Sequence, residues 1–179
     1  RPYASKNVHL FTDDARSFLH KSSGPYDMIV YGTLDSHATL SVTSSIRLDN
    51  YVYTEEALQE ARRLLSNEGV IVLLFSVPTD WMAVRLIDTA RSVFGNEETR
   101  YASTDPYLFN LMIFAGPGLK RAFLEHPDLS KALLTPPAKN MVEIPRDDWP
   151  YLYLEKRGIP KLYLITLLML IAISIIAIF

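Results

Sequence analysis

With 179 residues the chain has material for about one domain and a short appendage, and 49% hydrophobic residues are enough to build a core. A net charge of −2 gives no sign of the clustered basic face that nucleic-acid binding needs, so no nucleic-acid partner is expected. The lack of cysteine excludes disulfides and thiolate metal sites and fits a reducing compartment.

In chain order, residues 8–12 form a short apolar run that predicts a strand. Asp13 or Asp14 follows as the cap of a helix over 15–20. Ser23-Gly24-Pro25 is a turn. Residues 26–31 predict a second strand, apolar on both faces at Met28, Ile29 and Val30, as a buried parallel strand is. Gly32 ends it. The next twenty residues, 32–51, are rich in Ser and Thr, and a loop of that length inside a compact domain is functional or mobile.

Thr54 then caps a helix with Ala57, Leu58, Ala61, Leu64 and Leu65 on one face and Glu55, Glu56, Glu60, Arg62 and Arg63 on the other. Asn67-Glu68-Gly69 reads as its stop, before a third buried strand at 70–75. A second amphipathic helix spans 80–94, with Val84, Leu86, Ile87 and Val93 inward, and ends at Gly95-Asn96. Residues 99–103 and 108–115 read as an antiparallel pair closed by Gly116-Pro117-Gly118. Residues 119–134 are one helix or two short ones. Thr135-Pro136-Pro137 opens a linker punctuated by Pro145, Pro150 and Pro160.

Residues 162–179 carry no charge and are apolar over the 18 positions that mark a membrane-spanning candidate. Lys156, Arg157 and Lys161 precede them, so the positive-inside rule sets the domain on the cytoplasmic side of an inner or plasma membrane. Tyr151, Tyr153 and Tyr163 suit the interface. Beginning at Arg and stopping within an apolar run, the chain reads as a fragment of a longer protein.

The expected class is α/β: the C-terminal part of a Rossmann-like, mostly parallel sheet, helices on both faces, a terminal antiparallel strand pair, then a transmembrane helix. The divisions are a partial domain at 1–134, a linker at 135–161 and the membrane helix at 162–179. Acidic residues recur where strands end, which puts Asp13, Asp14 and Asp35 on the rim where an open α/β sheet builds its crevice. There is no G-x-G-x-x-G. His9, His20 and His126 have no metal-ligand spacing, and no metal is expected. Asp147-Asp148-Trp149-Pro150 is either a polar lid or a docking segment, with docking favoured.

The runs DDARSFL, YDMIVYGTLD and YTEEALQEARRLLSNEGVIV resemble the C-terminal half of the spermidine/spermine synthase domain, within the class I S-adenosylmethionine-dependent methyltransferase-like superfamily. LDSH and DDWPYLYLEKRGIP are similar to its membrane-bound bacterial branch. The resemblance implies a transferase that takes S-adenosylmethionine or decarboxylated S-adenosylmethionine as co-substrate. A polyamine or other amine would accept, with a lipid bilayer as surrounding and a homodimer allowed.

It implies that Asp14 binds the adenine amine, that Ala15 is the small residue whose amide faces the ring, and that Asp13 is the alternative acid. The family carries two aspartates after the next strand. Here Asp35 matches the second, Gly32 replaces the first, and the following proline is missing. His37 is the candidate substitute base, with an ordinary pKa of ~6.5. Arg47 and Asp49 would order the same loop. The other reading is a catalytically degenerate synthase-like domain that senses for, or supports, a transmembrane bundle or transporter.

Overall fold

A computed structural model describes residues 3, 5–32, 48–103, 111–137, 142–159 and 161–178. Its helices are α1 (Ala15–Lys21), α2 (Glu55–Leu64), α3 (Asp80–Phe94), α4 (Leu119–Glu125), α5 (Pro127–Ala132) and α6 (Lys161–Ile178). Its strands are β1 (Tyr26–Gly32), β2 (Leu65–Phe75), β3 (Thr99–Ser103) and β4 (Leu111–Ala115), in the order β1-β2-β4-β3. The sheet is mixed. Only β1 and β2 run parallel; β4 is antiparallel to both β2 and β3. The expectation of a mostly parallel sheet therefore fails on strand count, because the antiparallel pair contributes two of the three described pairings.

The core follows from a period of two in β2 and β4. Ile71, Leu73 and Phe75 point one way and pair with Ala115, Ile113 and Leu111. All six are buried, beneath Leu58, Ala61 and Leu64 of α2 and Leu86 and Ala90 of α3. Thr54 starts α2 by accepting a hydrogen bond from the Ala57 N–H at 3.2 Å. The helix ends at Leu64, and β2 begins at once. Asn67-Glu68-Gly69, expected as a helix stop, lies inside β2, where the register with β1 shifts between Tyr26 and Met28. Glycine is required at that irregularity: a Cβ on Gly69 would sit 2.8 Å from the Tyr26 carbonyl oxygen.

Two more expectations change. Residues 8–12 join no ladder, and Leu10 and Phe11 are about 70% exposed. A strand needs a neighbour for its backbone N–H and C=O groups, and here a cavity separates the segment from β1. Nor is β1 buried on both faces: Met28 and Val30 are more than half exposed while Tyr31 is buried. Helices α1, α2 and α3 cover the Tyr31 face. The opposite face carries α4, where Phe123 lies 5.6 Å beneath the Arg100 guanidinium.

The segment 142–159, expected as a linker, is packed onto the domain. Its anchor is Arg85 of α3, which has no exposed surface. Its Nε donates to the Glu143 carbonyl at 2.8 Å, Nη1 to the Leu152 and Leu154 carbonyls at 3.0 and 2.7 Å, and Nη2 to the Glu155 carbonyl at 2.8 Å. The Trp81 and Trp149 rings lie 4.8 and 5.3 Å from its guanidinium carbon. Burial lowers its pKa, partly opposed by Glu143 and Glu155, yet an arginine remains charged. Docking, not a lid, is the role of Trp149, which is 6% exposed. Beyond this strap, α6 is exposed along its whole length and is long and apolar enough to cross a membrane.

Candidate functional site

The N-terminus of α1 holds the acidic pair. Asp14 caps the helix, its Oδ1 accepting from the Ser17 N–H at 2.9 Å. Asp13 faces the other way: its Oδ1 accepts from the Asp14 N–H at 2.9 Å and its Oδ2 from Lys21 Nζ at 3.3 Å. The backbone N–H first, and Lys21 second, hold the Asp13 carboxyl below its ordinary pKa. It is therefore an acceptor at neutral pH.

Between residues 9–13, α1 and β1 lies a cavity of about 420 Å³, a size suited to a small organic ligand. Its wall is aromatic and aliphatic, with Phe11, Phe18, Ile29 and Tyr31, while Asp13 and Ala15 also line it. The Phe11 and Phe18 rings are 5.3 Å apart. Polar groups at His9 and Asp13 beside a broad apolar wall can hold a flat, partly polar heterocycle. A second cavity, about 570 Å³, opens between α2 and α3 at Arg62, Arg63 and Ser92. It is less suited to a ligand, because Arg62 already donates to the Val93 carbonyl at 2.5 Å and Arg63 to that of Leu19 at 3.4 Å.

Tyr31 sits at the inner wall of the smaller cavity, 4% exposed, and its hydroxyl has no hydrogen-bond partner among the described residues. Burial drives its pKa upward, with Arg16 pulling down and Glu60 pushing up. Arg16 itself bridges Glu60 at 3.3 Å and Asp147 of the strap at 3.0 Å. Asp147 Oδ1 also accepts from Thr54 Oγ1 at 2.6 Å, and its N–H donates to Glu56 Oε2 at 3.0 Å. The strap is thus bolted to the start of both α1 and α2.

An aromatic row continues inward from Tyr31. Its ring is 6.2 Å from Tyr53, Tyr53 is 5.1 Å from Phe75, and Phe75 is 6.5 Å from Tyr153. Tyr31 and Phe75 lie at the carboxyl ends of β1 and β2, where an open α/β sheet places its ligand. Sequence reasoning singled out Tyr53 of this row, as an active-site-facing aromatic or a helix-entry staple, and missed Tyr31, Phe75 and Tyr153. Tyr153 reads as a membrane-interface residue, and only its packing on Phe75 shows otherwise. The available signal was Tyr31 itself, a phenol that follows the aliphatic run Met28, Ile29 and Val30 at the end of β1.

Of the residues singled out in the sequence, the structure brings Asp13 and Ala15 to one cavity and gives the Asp14 side chain the cap. Asp35, His37 and Arg47 lie outside the described residues. Among the described residues no group of three His, Asp or Glu side chains is placed to hold a metal ion. Family models give no match to this chain, and no curated protein matches it.

Proposed function

We propose that this is a membrane-tethered, Rossmann-like domain of the spermidine synthase-like kind. It binds the nucleoside of S-adenosylmethionine or decarboxylated S-adenosylmethionine and transfers a group from it to an amine. The observation that carries the reading is the cavity at the start of α1, where an aromatic wall meets an ionised carboxylate and a small residue. In this reading Asp13, rather than the capping Asp14, accepts from the exocyclic amine of adenine, and Ala15 leaves room for the ring. The domain lies on the cytoplasmic side, behind Lys156, Arg157 and Lys161.

The chemistry is an in-line displacement. The amine nitrogen attacks the carbon next to the sulfonium, the C–S bond breaks, and its electron pair neutralises the sulfur as a thioether. The new ammonium then loses a proton. Positioning supplies much of the rate, and a base is needed only to present a neutral amine. With Gly32 where the family has an acid, Asp35 holds the acceptor and His37 takes the proton.

The test uses the protein in detergent with each donor and a panel of polyamines, with mass spectrometry of the nucleoside product. Methylthioadenosine from the decarboxylated donor reports aminopropyl transfer; S-adenosylhomocysteine reports methyl transfer. Asp13→Asn should lower either rate at limiting donor by about five- to tenfold, the loss of one charge-assisted hydrogen bond. A second reading, a degenerate domain that senses nucleoside for the membrane segment, is favoured by the Arg16–Asp147 contact between α1 and the strap. It predicts nucleoside binding with neither product.

A further inference from the structure

Three buried polar atoms at the seam of α1, α2 and β1 have no hydrogen-bond partner among the described residues: Arg16 Nη1, Glu60 Oε2 and the Tyr31 hydroxyl. They share one neighbourhood. Arg16 and Glu60 form an ion pair, but only through Nη2 and Oε1, which stand 3.3 Å apart. The same Nη2 reaches Asp147 Oδ2 at 3.0 Å, and His20 Nδ1 lies 3.4 Å from the same Oε1. The second nitrogen and the second oxygen of the pair are left over. Tyr31 stands in the field of both charges: burial raises its pKa, Arg16 pulls it down and Glu60 pushes it up. The phenol therefore keeps its proton and can donate.

The chemistry of these atoms selects what fits between them. Arg16 Nη1 and the Tyr31 hydroxyl offer hydrogens, while Glu60 Oε2 offers only lone pairs. An anion would meet the Glu60 carboxylate, and a metal cation would meet the Arg16 guanidinium. The occupant is neutral and small, takes two hydrogen bonds and gives one. A buried water has this capacity, since such waters make about three hydrogen bonds to groups that are otherwise unsatisfied.

We propose that Arg16, Tyr31 and Glu60 form the binding site of one buried water molecule, which accepts from Arg16 Nη1 and the Tyr31 hydroxyl and donates to Glu60 Oε2. The water ties the carboxyl end of β1 to α1 and α2. It also steadies the Tyr31 ring, which lines the neighbouring cavity, although neither Arg16 nor Glu60 does. The proposal is independent of the nucleoside reading.

The experiment is a crystal structure of the protein in detergent, at a resolution that shows ordered waters, together with urea unfolding of the wild type and of Tyr31→Phe. A water peak should lie about 2.7–3.2 Å from all three atoms. Tyr31→Phe removes one partner of that water, so the unfolding constant should rise about fivefold, the worth of one hydrogen bond. A hydroxyl with no partner predicts the reverse, because phenylalanine fills the same shape without burying a polar group. Tyr31→Phe as stable as the wild type, or more stable, would therefore overturn the proposal. A wild-type structure with Arg16 Nη1 bonded directly to Glu60 Oε2, with another side chain between the three atoms, or with no peak there would overturn it whatever the variant does.

Discussion

Arg16 and Asp147 lie 131 positions apart, yet the Arg16 Nη2 donates to Asp147 Oδ2 at 3.0 Å. Arg16 follows Ala15 at the cavity rim, and Asp147 belongs to the strap that leads to α6. The same carboxylate takes the hydroxyl of Thr54, the residue that caps α2. One side chain therefore ties together the two helices that flank β1 and the segment that enters the apolar helix.

Asp147→Ala removes the acceptor for both Arg16 and Thr54. The carboxylate is 41% exposed, so the ion pair is screened, and the hydroxyl bond supplies most of the loss. Urea unfolding in detergent should show about 1–2 kcal/mol of destabilisation. An unchanged midpoint would mean that the Asp147 carboxylate does not help to hold the strap.

Arg85→Met should be far more damaging. It leaves the carbonyls of Glu143, Leu152, Leu154 and Glu155 without the donor they share. It also removes the cation between Trp81 and Trp149. A loss of about 3–5 kcal/mol is expected, in the range for breaking a buried charged network. Limited proteolysis should then cut within 142–157 faster than in the wild type. Arg85→Lys cannot restore it, since an ammonium has no planar fork.

The acid limb of stability follows from two carboxyls. Asp13, beside the Asp14 N–H and Lys21, and Glu125, beside Arg121, both have lowered pKa values in the folded state. A depressed folded pKa contributes stability above the unfolded value and loses it as the pH falls through the folded one. Unfolding temperature should therefore be flat from neutral pH down to the ordinary carboxylate range, near 3.8 for Asp13 and 4.5 for Glu125, and drop below it. Lys21→Met should make that drop smaller without moving its onset, because the folded Asp13 value rises toward the unfolded one. A drop of unchanged size would show that the Asp14 N–H alone holds Asp13.

Helix α6 makes the membrane prediction. No residue of its 18-residue span is buried by the domain, so its apolar surface is left for lipid or for other apolar helices. Arginine in place of Leu168 and Ile171, near the middle, costs about 2.5–3.5 kcal/mol per residue for insertion. The doubly substituted protein should leave the membrane pellet on alkaline carbonate washing, while the wild type stays.

Some of this was legible in the sequence. Helix α3 runs over the residues its periodicity indicates, because Gly95 and the inward Leu86, Ile87 and Val93 fix both its end and its face. The Thr54 cap and the α2 face are as written in Ala57, Leu58, Ala61 and Leu64. What local pattern cannot show is pairing. Residues 8–12 have strand chemistry but no ladder, and β1 has buried-strand chemistry with one face half open. Nor does any motif announce Arg85, whose role depends on carbonyls about 60 to 70 positions away. At the site, the strand-end acids pointed to Asp14 first and Asp13 second, and the resemblance to Ala15; Asp13 and Ala15 line the cavity, while Asp14 Oδ1 caps α1. Tyr31 was passed over because a tyrosine in a strand reads as ordinary core.

The most direct test of the central claim is photoaffinity labelling of the protein in detergent with 8-azido-S-adenosylmethionine, followed by peptide mapping with and without unlabelled donor. The account predicts adducts in the peptides carrying Phe11, Phe18 and Tyr31 that methylthioadenosine competes away. Labelling that is not competed, or that falls on Arg62, Arg63 and Ser92 of the other cavity, would contradict it.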